Sequence, residues 1–197
     1  MKHYFETKHN KNHSQPKKLA IVLHGSGADE MDLVPLVTHI LPHHDILSLR
    51  GNVIDRGTRR FFSWPINGEF NQTEITQNAA QIADFLTERL SNYDSHVFIG
   101  YSNGANMIGA LLQTYPQLVS HAILLHPLQV LHESAKLNAN VFITYGTQDT
   151  MITPAQTTAY ISYLTEQGAT VTPFVFSGGH EISQAEVDKL REIGENL

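Results

Sequence analysis

Short apolar runs bounded by turn residues alternate along this chain with longer stretches whose apolar positions recur at helical spacing. Leu19 to Leu23 is continuously apolar, flanked by lysines and by Gly25-Ser26-Gly27, which predicts a strand buried on both faces. Asp29 to Leu41 reads as a helix with Leu33, Val37, Ile40 and Leu41 on one side, Pro35 being accommodated if regular turns begin near Asp32. Ile46 to Leu49 is the next strand. From Thr73 to Leu90 the positions Ile75, Ala79, Ile82, Leu86 and Leu90 trace one helical face. Strand His96 to Ile99 runs into Gly100-Tyr101-Ser102-Asn103-Gly104 and a helix that ends near Tyr115, before Pro116. Ala122 to Leu125 and Val141 to Tyr145 are further buried strands. Helix Pro154 to Glu166, closed by Gly168, leads to strand Val171 to Phe176 and a last helix from Ser183 to Ile193. The polar, lysine-rich stretch Lys8 to Lys18 predicts a surface loop between two short strands.

Regular alternation of strand and helix predicts an α/β fold, a mostly parallel central sheet with helices on both faces. The 197 residues suit one domain spanning 1–197. In such sheets ligands bind beyond the carboxyl ends of the strands, so residues that closely follow strands are the ones to inspect for chemistry.

Composition narrows the function. Hydrophobic residues at 41% and charged residues at 16% describe a soluble globular chain, neither disordered nor coiled coil. Cysteine is absent, which excludes disulfides, Cys-ligated metals and thiol nucleophiles. Thirteen Lys and Arg against nineteen Asp and Glu give a net charge of -6, the wrong sign for nucleic acid or an anionic membrane surface. The segment Met1 to Asn10 lacks the apolar core of a signal peptide, and no apolar run approaches about 18 residues. A cytoplasmic location and a small-molecule partner are expected.

Gly100-Tyr101-Ser102-Asn103-Gly104 fits Gly-x-Ser-x-Gly at a strand-to-helix junction. There the serine is held on a strained turn with its Oγ exposed, and the glycines let strand and helix pack closely. A serine needs a base to take its proton and an acid to orient that base. In this setting the chain order is Ser, then Asp or Glu, then His. His180, in Gly178-Gly179-His180-Glu181, is the one histidine after Asp149, and Asp149 follows strand Val141 to Tyr145. Glu133, which follows the preceding strand, stays open as an alternative acid. Oxyanion donors are expected from the backbone N–H of Asn103 and, in His24-Gly25-Ser26-Gly27, from that of Ser26. Phosphate-cradling glycine patterns are not met by Gly25-Ser26-Gly27. No metal is expected: His43-His44, His3, His9 and His13 make no ligand pattern, and His121 and His126, five apart, would face opposite ways on a strand.

Leu23-His24-Gly25, Leu49-Arg50-Gly51-Asn52 with Arg60-Phe61-Phe62, Gly100 to Asn106, His126-Pro127, Gly146-Thr147-Gln148-Asp149 and Gly179-His180-Glu181-Ile182 together resemble the phospholipase/carboxylesterase family of α/β-hydrolases. That group includes acyl-protein thioesterases, and the chain looks most like its small bacterial carboxylesterases, some associated with quinone resistance. The resemblance spans about Leu19 to Ile193. It implies a capless α/β-hydrolase fold and a serine hydrolase using Ser102, Asp149 and His180 without a cofactor. Thioesterase members usually carry Gln where this chain has Asn103 and often Leu where it has Ser26, which favours the esterase branch. Phe61, Phe62, Trp64, Met151 and Ile152 fall in loops after strands and are candidate acyl-pocket residues, and Arg50 is a candidate partner for a substrate carboxylate or a protein one. The expected activity is carboxylesterase action on small to medium esters. Thioesterase or lysophospholipase-type activity and a non-catalytic binding module are its rivals, and a homodimer through a helix or edge strand is the expected oligomer.

Overall fold

A computed structural model describes residues 4–7 and 16–197. Along the chain these form β1 (Tyr4–Thr7), β2 (Lys18–Leu23), α1 (Val34–Ile40), β3 (Asp45–Leu49), β4 (Val53–Asp55), β5 (Thr58–Arg60), α2 (Gln72–Leu90), β6 (Ser95–Tyr101), α3 (Asn103–Thr114), β7 (His121–Leu125), β8 (Asn140–Gly146), α4 (Pro154–Glu166), β9 (Thr170–Phe176) and α5 (Gln184–Gly194). Residues 8–15 of the expected lysine-rich loop lie outside the described residues; its flanking strands are β1 and β2.

The apolar runs pair into one seven-stranded sheet, ordered β1-β3-β2-β6-β7-β8-β9. Only β1 runs antiparallel, against β3; the other neighbours are parallel. Parallel strands need covering on both faces, and β2 shows how the sequence supplies this. Leu19, Ile21 and Leu23 enter one core with Ile75, Ile82 and Leu86 of α2, Ile108 and Leu111 of α3 and Tyr160 and Leu164 of α4. Ala20 and Val22 enter the other, with Val34, Val37 and Ile40 of α1 and Leu190 of α5. Each such Leu, Ile or Val contributes about 1.5–3 kcal/mol by leaving water. The α/β layering follows the sequence expectation.

Two elements differ from it. The helix expected from Asp29 contracts to Val34–Ile40. Pro35 cannot donate back to residue 31, so the preceding residues make three-residue turns instead, Asp32 N to Asp29 O at 3.2 Å and Val34 N to Met31 O at 3.3 Å. Between β3 and α2 the chain folds β4 and β5 into an unpredicted antiparallel hairpin, a two-stranded sheet of its own. No cap is inserted over the strand ends among the described residues. No helix of the described residues is long and apolar enough to cross a membrane.

Candidate active site

β6 passes directly into α3, and Ser102 is the residue between them, at φ 51 and ψ -114. Such left-handed strain costs of order 1–3 kcal/mol in a residue with a side chain and persists only where the surroundings impose it. Here they do. Ser102 N donates to Leu125 O at 2.9 Å, and the neighbouring glycines admit backbone where a Cβ could not fit. A Cβ on Gly104 would stand 2.1 Å from Leu23 O, and one on Gly100 2.7 Å from Ala105 N.

Asp149 and His180 follow adjacent parallel strands, β8 and β9. Backbone bonds lace the two loops together, Thr147 N to Phe176 O at 2.9 Å and Gln148 N to Gly178 O at 2.8 Å. The N–H groups of Met151 and Ile152 both donate to Asp149 Oδ1 at 2.9 Å, which aims Oδ2 at His180 Nδ1, 2.7 Å away. His180 Nε2 lies 2.9 Å from Ser102 Oγ. An ionised carboxylate only accepts, so Nδ1 carries the ring proton and Nε2 offers its lone pair to the serine hydroxyl. Asp149 is 3% exposed. Burial pushes its carboxyl up, but the Ile152 N–H and bonds from His180 and His126 outweigh that and hold it below the ordinary value. Tyr101 OH donates to His180 O at 2.6 Å and so ties the His180 loop to β6. Burial, then the carboxylates around it, push the Tyr101 phenol up to about 12, so it stays a donor.

Ser102 and His180 open into a cleft of about 710 Å³. Phe62, Trp64, Phe70, Leu128, Met151 and Ile152 make its apolar walls, and Asp55, Arg56 and Arg60 of the hairpin make its charged side. Ser26 and Asn103 line it as well. Asn103 opens α3, where a first-turn N–H has no intrahelical acceptor. Its side-chain Oδ1 accepts from Phe61 N at 2.7 Å. The Ser26 loop is pinned by Gly27 N donating to Arg59 O at 2.8 Å and Arg60 Nη1 donating to Ser26 Oγ at 2.5 Å. Of the candidate pocket residues, Phe62, Trp64, Met151 and Ile152 therefore reach the cleft.

Arg50 and Phe61 do not line it. Arg50 pairs with Glu30 and lies 3.7 Å from Asp29, choosing protein carboxylates. Phe61 is 1% exposed, its ring 4.9 Å from that of His24, and it packs in the core. Glu133 is exposed and its neighbourhood is α3 and α4, so it takes no part in the His180 contact. The sequence reading names neither Arg56 nor Arg60 as a cleft residue, the hairpin strands going unpredicted, and gives no site role to His126 or Glu186, which are buried behind Asp149. Among the described residues His126, Asp149 and His180 are the one group whose donor atoms gather closely enough for a metal, within 4.8 Å. An ion there would take the Asp149 and His180 atoms that hold the ring proton.

No family model matches the chain. Over 199 aligned residues it is 30% identical to a Bacillus subtilis (strain 168) protein named "Putative hydrolase MhqD", covering 98% of this chain and 96% of that one. The chain belongs to the phospholipase/carboxylesterase family of α/β-hydrolases. Among solved structures, a Bacillus cereus carboxylesterase superposes with a TM-score of 0.86 at 32% identity, covering 98% of this chain and 93% of its own. A Mesorhizobium loti carboxylesterase gives 0.85 at 29% identity, with 93% and 90% coverage. This family member is therefore a hydrolytic enzyme of the ester-cleaving type.

Proposed function

We propose that this phospholipase/carboxylesterase family member, read as one domain over residues 1–197, is a serine carboxylesterase for small to medium esters, working through Ser102, His180 and Asp149. The observation that carries the reading is the unbroken line Ser102 Oγ, His180 Nε2, His180 Nδ1, Asp149 Oδ2, with links of 2.9 and 2.7 Å. His180 takes the Ser102 proton at Nε2 as Oγ bonds to the ester carbonyl carbon, and the carbonyl π electrons move onto oxygen. The N–H groups of Asn103 and Ser26 receive that oxyanion, each worth about 3–4 kcal/mol of barrier lowering. Collapse breaks the carbon–oxygen bond to the alcohol, which leaves with the proton from Nε2. Water then gives a proton to His180, attacks the acyl-enzyme and releases the acid, and Ser102 regains its proton. Asp149 holds the imidazole in the required tautomer throughout. The cleft volume falls within the range of small-ligand pockets, and Trp64 and Met151, half exposed at its mouth, suit acyl chains that end near the surface.

The test is hydrolysis of p-nitrophenyl esters from acetate to laurate by wild type and by Ser102→Ala prepared identically. Wild-type turnover lost in the variant is the expected result. Undiminished turnover by pure Ser102→Ala protein would overturn the reading, and no wild-type turnover on any ester would direct the assignment to thioesters or to a binding role.

A further inference from the structure

Behind Asp149 the polar network continues into the core. His126 presents Nδ1 to Asp149 Oδ2 at 3.3 Å and Nε2 to Glu186 Oε2 at 3.3 Å, and both His126 and Glu186 are 0% exposed. Ionised carboxylates only accept, and a neutral imidazole has a single N–H. A ring with a carboxylate on each nitrogen therefore needs two protons across its two contacts. With Asp149 held ionised by the Met151 and Ile152 N–H groups, the second sits either on Nε2, making an imidazolium, or on Glu186 as an O–H donating to Nε2. Both arrangements leave the other proton on Nδ1, facing Asp149.

Capping does not explain Glu186. It completes a capping box at the start of α5, accepting from Ser183 N at 3.0 Å, a task a glutamate performs equally well at the surface. Instead it is wholly buried, and its Oε1 has no partner among the described residues, an arrangement that costs free energy unless something else uses it. His126 likewise holds a left-handed backbone at φ 51, uncommon for a residue with a side chain.

We propose that Glu186 and His126 are positioning residues of the esterase reaction: Glu186 locks a proton on His126 Nδ1, and that N–H shares the Asp149 oxygen used by His180. The proposal rests on the triad reading above. Asp149 Oδ2 then accepts two imidazole N–H groups, from His180 at 2.7 Å and from His126 at 3.3 Å. The second donor keeps Asp149 ionised in its buried site and draws off part of the charge that would otherwise hold His180 as imidazolium. The titratable groups facing His126 are Asp149, Glu186, His180, whose ring centroid is 5.1 Å away, and Tyr101, at 5.7 Å. Glu181 is the further carboxylate close to His126.

The experiment follows kcat/KM for p-nitrophenyl acetate from about pH 5 to 9 in wild type, Glu186→Gln, His126→Phe, which carries no donor, and the double variant, which removes both buried ionisable groups. Without the locked N–H, Asp149 becomes more basic and His180 keeps its proton to higher pH. The acid limb moves up by about half to one pH unit, the scale of one lost hydrogen bond, with kcat changing more than KM. Limbs coincident with wild type in the folded variants would overturn the proposal. Nitrogen NMR of histidine-labelled wild type decides independently of any variant, His126 being identified through contacts with the Tyr101 and Phe176 rings. A protonated Nδ1 across the pH range supports the proposal, and a lone pair on Nδ1 refutes it. Ser102→Ala serves as the separate control: its activity tests the triad alone, whereas unshifted limbs beside an inactive Ser102→Ala count only against the role of His126 and Glu186.

Discussion

Replacing Asp149 by Asn changes one heavy atom and reverses the hydrogen bond to His180. The N–H groups of Met151 and Ile152 both point at Oδ1 at 2.9 Å and are fixed by the main chain, so the amide oxygen of Asn must stay with them. The amide NH2 then faces His180 Nδ1, which in the wild type is a donor 2.7 Å from the carboxylate. Two donors cannot share that contact, so the imidazole moves its proton to Nε2 and presents a lone pair at Nδ1. Nε2 can then no longer accept the Ser102 proton across its 2.9 Å contact. The expected loss in kcat is about 10⁴-fold, the size seen when a triad base is held in the wrong tautomer elsewhere, or about 5.5 kcal/mol at about 1.4 per decade. Steady-state ester hydrolysis measures it, and thermal unfolding within a few degrees of wild type shows that the fold is kept. Activity within tenfold of wild type in folded Asp149→Asn protein would refute the reasoning and return Glu133 to consideration.

His44 is 4% exposed, and burial, then Lys18 and His43, lower its pKa to about 4 from an ordinary 6.5. Between those values the unfolded chain binds the extra proton, so this contribution to stability is present near neutral pH and is lost as pH falls. The gap amounts to about 3 kcal/mol at about 1.4 per unit, or about 2 after solvent screening. Urea unfolding at several pH values should show wild type losing about that much stability relative to His44→Leu on acidification; parallel curves would contradict it. Gly104→Ala would drive a Cβ to 2.1 Å from Leu23 O and should destabilise by about 3 kcal/mol or more, read as a lower urea midpoint, with turnover falling as the Ser102 turn shifts. Arg50→Gln and Glu133→Gln, both outside the cleft, should keep kcat/KM within about twofold of wild type; a tenfold loss in either would return that residue to the site.

Local pattern carried most of the fold. β6, the Ser102 turn and α3 were legible because an apolar run, a Gly-x-Ser-x-Gly and a helical run stand next to one another, and α4 spans Pro154–Glu166 as expected because Thr153 caps it and Gly168 ends it. The hairpin was hidden for local reasons too. Its strands are three half-exposed residues each, with no apolar run, and its turn is Arg56-Gly57 at φ 49 and 79, not the Asn-Gly or Asp-Gly that marks such turns. Arg50 and Phe61 were misplaced because position after a strand says where the backbone goes, not whether a side chain turns to the cleft or the core. Glu186 shows the limit most clearly: Ser183-x-x-Glu186 announces a helix start, but the burial that sets it against His126 is created by α5 packing on the sheet.

The hairpin also divides labour within the molecule. Its strands pair only with each other, while the segment returns to the body at Phe61, whose backbone N–H binds Asn103 and whose carbonyl accepts from Asn78. Residues 53–60 thus furnish Asp55, Arg56 and Arg60 to the cleft and hold the Ser26 loop through Arg59 O and Arg60 Nη1, whereas the Asp149 and His180 loops are stitched to each other by main-chain bonds. Under the proposed function, exchanging this module for a hairpin of different charge would change which esters are admitted and also how firmly the Ser26 loop is held, so selectivity and the Ser26 donor rest on one support.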